Sequence, residues 1–362
     1  MKAKRKIISV VGARPQFVKL APLARALSTR FRHKIVHTGQ HYDANMSNVF
    51  FRQLAIPRES SNLQLGGASH GAMTGQMLIK LETVYQEERP DMVLVYGDTN
   101  TTLSAALAAA KLGIPVGHIE AGMRSFVDDM PEEINRRLTD HVSQLLFCAT
   151  PVAAKNLRHE GIRGRIVLNG DLMFELLDQS KRTINGNGKF LRSYTLKPDT
   201  YLYLTIHRAA NVDEKENLER LIEILSGQPW PVLFPIHPRT RSRLLRFNLM
   251  KKLAAIDNVI TTEPLNYLDN LTAVRYARAV LTDSGGLQKE SLFLGTPVLT
   301  LRDETEWKET LRMGNRLVGL EPKKVNAALK RLPTVKPVAW RIDGHKPSQI
   351  ILSEITRFFK GK

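Results

Sequence analysis

Two carboxylates stand where apolar strands tolerate them least. Gly97-Asp98-Thr99-Asn100 follows the run Met92–Tyr96, and His118-Ile119-Glu120-Ala121-Gly122 closes the run that begins at Val116. An acid ending a buried strand bears a desolvation cost, and the same burial lifts a carboxyl group toward pKa values useful for proton transfer. Glu120 is the clearer case, because Asp98 is equally placed to cap the helix that starts at Thr99. Arg124 follows, and then Met130-Pro131-Glu132-Glu133-Ile134-Asn135-Arg136 sets a proline and two acids in the first turn of a helix. Acids there suit the helix dipole, which accounts for Glu133 and leaves Glu132 as the third candidate for proton transfer.

A second group of residues has the chemistry of an anion site. Gly12-Ala13-Arg14-Pro15-Gln16 follows the first strand with Lys19 one turn later, so a guanidinium and an ammonium mark a helix start. His207-Arg208 and His237-Pro238-Arg239 end two strands of the second half, two histidine–cation pairs in corresponding places, although His237 is also suited to anchoring its own loop. Thr282-Asp283-Ser284-Gly285-Gly286-Leu287-Gln288-Lys289-Glu290 follows a strand and opens a helix. Ser284, Gly285 and Gly286 let a diphosphate approach backbone N–H groups, and Glu290 is placed to accept hydrogen bonds from ribose hydroxyls. The Gly-x-Gly-x-x-Gly turn of a nicotinamide site is missing after the first strand, and neither histidine has a second ligand at metal-binding spacing. The expectation is an enzyme that holds a nucleotide diphosphate, works with carboxylates and uses no metal and no redox cofactor.

The elements that position these residues are short β-branched runs alternating with segments of helical period, the pattern of parallel strands joined by crossover helices. Strands are expected at Lys6–Val11, Lys34–His37, Met92–Tyr96, Val116–Ile119 and Leu145–Cys148, and then at Tyr201–Ile206, Pro231–Ile236, Val259–Thr262, Ala279–Thr282 and Val298–Leu301. Several are apolar throughout, as strands covered on both faces are. In such sheets ligands bind beyond the carboxyl ends of the strands, which is where the unusual residues fall. Between Asp178 and Thr200 the chain turns polar and carries Asn185-Gly186-Asn187-Gly188, which reads as an irregular boundary between two domains. The expected division is 1–178, 179–345 and a terminal helix over 346–362 that packs back on the first domain.

Bulk properties agree with two α/β domains. At 362 residues the chain exceeds what one core fills, and 43% hydrophobic with 24% charged residues describes a globular protein. The net charge of +18 is spread along the chain without interleaved aromatics, which argues for a solvated basic surface over a nucleic-acid site. No apolar run approaches the ~20 residues of a membrane helix. The single cysteine, Cys148, lies in an apolar strand and suits a reducing cytoplasm.

In order and spacing, Gly12–Pro15 with Lys19, Thr38-Gly39-Gln40-His41, Gly97-Asp98-Thr99, His118–Gly122, Pro131–Arg136, His207-Arg208 and Asp283–Glu290 resemble the non-hydrolysing UDP-N-acetylglucosamine 2-epimerase family over nearly the whole chain. The resemblance implies two Rossmann-like domains of glycosyltransferase-B type with the active site in the cleft between them. It implies inversion at sugar C2 by elimination of UDP to a 2-acetamidoglucal and re-addition after protonation from the other face, with no oxidation. It assigns Asp98, Glu120 and Glu132 as catalytic carboxylates and His207 as the residue assisting departure of the diphosphate. Arg14, Lys19, Arg124, His237, Ser284, Gly285, Gly286 and Glu290 are then contacts of the nucleotide-sugar. Gln40 and His41 correspond to a second, activating site found in some members. A homodimer that supplies precursors of surface polysaccharide, lipopolysaccharide included, completes the expectation.

The chain departs from the family at two places. Arg14-Pro15-Gln16 replaces Arg-Pro-Glu, and Thr305-Glu306-Trp307-Lys308-Glu309 replaces Thr-Glu-Arg-Pro-Glu, so Trp307 stands for a substrate-contacting arginine. These changes, with Gly170-Asp171-Leu172-Met173, resemble relatives that epimerise UDP-2,3-diacetamido-2,3-dideoxy-glucuronate, and loss of an acid would suit a uronic acid. Two substrates therefore stand open, with UDP-N-acetylglucosamine first. A retaining glycosyltransferase of the same fold and a basic polymer-binding module are the rival classes.

Overall fold

The computed structural model describes residues 4–40, 51–335, 342 and 344–361. The chain divides into two compact units, Met1–Asp178 with Trp340–Lys362, and Gln179–Ala339. The first unit is built on β1 (Lys6–Val11), α1 (Arg14–Arg30), β2 (Arg32–His37), β3 (Ser61–Asn62), α2 (His70–Glu88), β4 (Met92–Tyr96), α3 (Asn100–Lys111), β5 (Val116–Ile119), α4 (Pro131–Val142), β6 (Leu145–Cys148), α5 (Pro151–His159), β7 (Arg165–Leu168) and the start of α6 (Leu172–Gly186), the helix in which the chain passes to the second unit. Its seven strands pair in the order β3-β2-β1-β4-β5-β6-β7, parallel throughout. Every residue of β4, β5 and β6 is buried. α2 lays Met77, Leu81 and Tyr85 against Ala105, Ala106, Ala108 and Ala109 of α3, small side chains that let the helices approach closely.

The second unit repeats the plan with β8 (Leu202–Thr205), β9 (Val232–Pro235), β10 (Val259–Thr262), β11 (Ala279–Thr282), β12 (Val298–Thr300) and β13 (Asn315–Leu317), in the order β10-β9-β8-β11-β12-β13 and again all parallel. In both sheets the chain runs outward from the first strand and then returns to build on its other side. The first and fourth strands, β1 with β4 and β8 with β11, are therefore neighbours whose following loops diverge. That divergence opens a crevice at the carboxyl edge, the usual ligand position in such sheets. The loops concerned carry Arg14, Asp98, His207 and Ser284.

Three strands escape the sequence pattern. β3 has only two residues, β7 is an edge strand with no fully buried position, and β13 mixes buried and open residues. The stretch expected to be irregular from Asp178 is instead helical as far as Gly186, because Leu176, Leu177 and Ile184 give α6 an apolar stripe. A short helix, Gly188–Ser193, follows directly. The last helix, Pro347–Lys360, belongs to the first unit. Phe359 packs at 5.8 Å from Phe31, and Ser348 donates from its backbone N and its Oγ to Glu175 of α6 at 2.9 and 2.7 Å.

Burial pushes the Cys148 thiol up to about 12, which keeps it protonated and unreactive at neutral pH. A colorimetric thiol reagent is expected to leave the native protein unlabelled over minutes and to titrate one equivalent in denaturant. Rapid native labelling would show that β6 opens locally.

Candidate active site

Glu120 leaves β5 through a backbone turn of positive φ (72°), a conformation that costs a non-glycine residue about 1 kcal/mol or more and that clusters at functional sites. The turn is held because Glu120 N and Ala121 N both donate to the Phe147 carbonyl at 3.0 Å. Gly122 completes it at φ 78°, where a Cβ would collide with the carbonyl of Ala153. This geometry aims the Glu120 carboxylate at Lys19 of α1, and Glu120 Oε2 and Lys19 Nζ form an ion pair whose side chains are only 12% and 7% exposed. Gly97 lies against that pair, a Cβ there falling 3.4 Å from Lys19 Nζ and 3.5 Å from Glu120 Oε2. Lys19, expected among the contacts of the nucleotide-sugar, is thus engaged with a carboxylate of the fold itself.

Asp98 does not cap α3. Thr99 does, its side chain accepting from Thr102 N, which leaves Asp98 to receive Arg136 through Nε and Nη2 at 3.0 and 2.6 Å. Asn135 donates to the Asp98 carbonyl at 2.9 Å. Arg136 in turn donates to Glu133 at 2.8 Å, and Glu133 receives Ser125 N, Ser125 Oγ and Phe126 N at 2.9, 3.0 and 3.2 Å. Burial raises the Glu133 carboxyl, but the Ser125 N–H and the Arg136 guanidinium outweigh it and hold the group below the usual carboxylate range. Glu133 is therefore an internal anchor of the loop before α4, whereas Glu132 beside it is exposed.

Two residues read as ligand contacts, Arg124 and Gln40, are engaged within the fold, and so is Gln16, where the chain departs from the family motif. Arg124 has a fully buried side chain that donates to Glu160 through Nε and Nη2, both at 2.7 Å, and pairs with Asp140 at 2.8 Å. A guanidinium this deep needs its carboxylates, and these two contacts tie the loop after β5 to α4 and to the end of α5. Gln40 Oε1 accepts from Thr101 N and Oγ1 at 3.0 and 2.8 Å, so it docks on the start of α3; His41 lies outside the described residues. Gln16, the departure from Arg-Pro-Glu, is 1% exposed and receives Gly12 N and Ala13 N while donating to the Tyr96 carbonyl at 2.8 Å. It needs both an acceptor and a donor end, which a carboxylate lacks, so its amide serves the turn. Arg14, the first residue of α1, is half-buried.

In the second unit a buried acid organises the anion site. Asp283 Oδ2 receives His207 N, Arg208 N and Asn211 Nδ2 at 3.0, 2.8 and 3.1 Å, fixing the loop after β8 to the loop after β11. His207 Nδ1 is 3.5 Å from Asp283 Oδ1, and its ring stacks on His237 with centroids 4.9 Å apart. His237 also caps its helix, accepting from Arg239 N at 3.2 Å. Ser284 caps the helix Gly285–Leu294, and the Glu306 carboxylate lies against Gly285 where a Cβ would stand. Glu306 pairs with Arg302 at 2.9 Å and Arg208 at 3.4 Å. Glu290 is 6% exposed, on the inner side of this helix. Trp307 is 5% exposed and lies under Lys289, 3.4 Å from Nζ to ring centroid, with its ring edge beside Gly285. Among the described residues no group of three His, Cys, Asp or Glu is set to hold a metal ion.

Two doubly wound parallel sheets, with acids at the edge of one and a capped glycine-rich helix start at the edge of the other, define an α/β protein of glycosyltransferase-B type. The family model described as UDP-N-acetylglucosamine 2-epimerase matches residues 25–343, and the chain belongs to that family of isomerases. It is 43% identical over 90% of its length to a UDP-N-acetylglucosamine 2-epimerase of Methanocaldococcus jannaschii, covering 91% of that protein. It is 45% identical over 87% of its length to a UDP-2,3-diacetamido-2,3-dideoxy-D-glucuronate 2-epimerase of Pseudomonas aeruginosa, covering 88% of it. The crystal structure of the M. jannaschii enzyme in complex with UDP-GlcNAc and UDP superposes with TM-score 0.89 at 41% identity, over 98% of this chain and 99% of that one.

Sequence reasoning missed Arg136 and Asp283 as organisers. Both sit inside the motifs it quoted, and an arginine three residues after Glu133 on a helix was the available signal. Because the Glu133 carboxyl is held low, its contribution to stability is complete above the unfolded value of 4.5 and is lost as pH falls through the lower folded value. Glu133→Gln is expected to lose roughly 2 kcal/mol at pH 7 and to flatten the acid limb in urea titrations. An unchanged acid limb in the variant would refute this assignment.

Proposed function

We propose that the protein interconverts a UDP-2-acetamido sugar and its C2 epimer, UDP-N-acetylglucosamine and UDP-N-acetylmannosamine, by elimination and re-addition of UDP. The observation that carries this reading is Glu120, a glutamate held at positive φ against Lys19 beside Gly97-Asp98. The C2 hydrogen of the sugar is weakly acidic, since no ring carbonyl adjoins it, so its removal has to be coupled to departure of the diphosphate. A base takes the C2 proton as the C1–O bond breaks, and UDP leaves with the electron pair. Protonation at C2 from the opposite face then accompanies attack of the UDP oxygen on C1. Asp98, Glu120 and Glu132 serve the two faces of C2 as the proton-transfer groups. His207, steadied by Asp283 and His237, assists the leaving diphosphate, and Arg14, Ser284, Gly285, Gly286 and Glu290 hold the nucleotide. This chemistry calls for no cofactor, and we assign the reaction to the cytoplasm, in supply of surface polysaccharide such as lipopolysaccharide.

The same chemistry on UDP-2,3-diacetamido-2,3-dideoxy-glucuronate is the second reading, favoured by the 45% identity to the P. aeruginosa enzyme. Incubation of the protein in deuterated water with each nucleotide in turn tests both. Deuterium at C2 without any acceptor is expected for the true substrate, and no exchange with either would overturn the epimerase reading and leave a glycosyltransferase. Glu120→Gln is expected to slow exchange by roughly 10²–10⁴-fold while UDP still binds, measured by NMR and calorimetry.

We further propose a homodimer through the face of α2, α3 and α4. Its support is the exposure of Ile79 on α2 (64%) and of Ile134 and Leu138 on α4 (45% and 50%), helices that both pack on α3. Light scattering is expected to give twice the chain mass, and the double change Ile134→Glu/Leu138→Glu to halve it.

A further inference from the structure

A fully buried polar pair joins β5 to α4 beside the turns that carry the two acids. His118 in β5 and Asp140 in α4 are both 0% exposed. His118 Nδ1 is 2.7 Å from Asp140 Oδ1, and its Nε2 is 2.8 Å from the Gly97 carbonyl oxygen. Asp140 Oδ2 receives Gly122 N at 3.2 Å and Arg124 at 2.8 Å. Each ring nitrogen faces an acceptor, so the ring that satisfies both donates from both sides. Burial raises the Asp140 carboxyl, but the charges of His118 and Arg124 outweigh it and hold the group low.

The partners of this pair are its significance. Gly97 immediately precedes Asp98, and its own N–H donates to the Ile119 carbonyl at 2.9 Å, one residue before Glu120. Gly122 ends the turn that begins at Glu120, and its carbonyl receives Asn156 Nδ2 at 2.9 Å. His118 thus grips the turn after β4, and Asp140 grips the turn after β5. As filler an ion pair is a poor choice here, because the desolvation of two charges is seldom repaid and an apolar pair of similar volume serves stability as well. An apolar pair would leave the Gly97 carbonyl and the Gly122 N–H unheld.

We propose that His118 and Asp140 are positioning residues, a clamp that fixes the Asp98 and Glu120 turns relative to one another so that the two carboxylates meet the sugar at one set separation. The inference rests on the epimerase reading above. Neither residue touches substrate; both act through the backbone of Gly97 and Gly122.

Two variants separate position from charge. In Asp140→Asn the new amide donates to Nδ1 of a neutral ring, whose Nε2–H still donates to Gly97, and the amide oxygen still accepts from Gly122 and Arg124. The clamp survives without its charge. In His118→Leu the grip on Gly97 is gone. Steady-state epimerisation, UDP affinity by calorimetry and thermal unfolding are measured for each. We expect kcat of His118→Leu to fall by roughly 100-fold with KM and UDP affinity within about twofold, and kcat of Asp140→Asn to stay within about threefold. Folded His118→Leu with unchanged kcat overturns the clamp, and so does folded Asp140→Asn that loses as much as His118→Leu. Should His118→Leu not fold, His118→Gln replaces it, since one amide reaches Gly97 or Asp140 but not both; full kcat there counts against the clamp and a loss confined to kcat supports it. Absence of exchange in the unaltered protein would instead overturn the epimerase reading itself.

Discussion

A carboxylate at the carboxyl edge of a buried parallel sheet has to be compensated, and most of the polar architecture follows from that requirement. Glu120 is answered by Lys19, Asp98 by Arg136, Glu133 by Arg136 and two backbone N–H groups, and Asp140 by His118 and Arg124. In the second unit Asp283 is answered chiefly by the N–H groups of His207 and Arg208. Such pairs add little net stability against apolar packing, and removing one partner alone leaves a buried charge that costs several kcal/mol. The acids are therefore rigid because each is locked to a donor on another element, which a proton-transfer group requires.

The two sheets solve this problem at the same topological place. Each starts in its middle and reverses direction after its third strand, so the loops after the first and fourth strands part. In the first unit those loops bring Gln16 to the Tyr96 carbonyl and to the Thr99 and Thr102 hydroxyls, joining the loop after β1 to the one after β4. In the second unit Asp283 joins the corresponding loops. One plan thus carries two chemistries, acids with their counter-cations in one sheet and backbone donors with histidines in the other.

The strands were readable because both faces of each central strand are apolar, and the candidate acids were readable because they interrupt that pattern. What could not be read was direction. Lys19 and Arg124 are cations beside an expected anion site, yet each turns inward to a carboxylate supplied from far along the chain. Trp307 suggested an altered substrate surface but is packed beneath Lys289, and Gln16 suggested a lost acid but is a backbone clasp. In each case spacing placed the residue near the site, and only the third dimension told which way it faced. The helix over Leu172–Gly186 was masked by Asn185-Gly186, although Leu176, Leu177 and Ile184 hold it to a core.

The positive φ at Glu120 sets selection on stability and selection on chemistry against each other, but not at one residue alone. Glycine would relieve the backbone strain of roughly 1–3 kcal/mol, yet it would strand Lys19 as a buried ammonium without its carboxylate, which costs several kcal/mol. A library ranked only by resistance to unfolding would therefore reach a relaxed, inert turn only by changing positions 19 and 120 together. Stabilised versions of this fold are consequently informative about its function only where that pair has been held fixed.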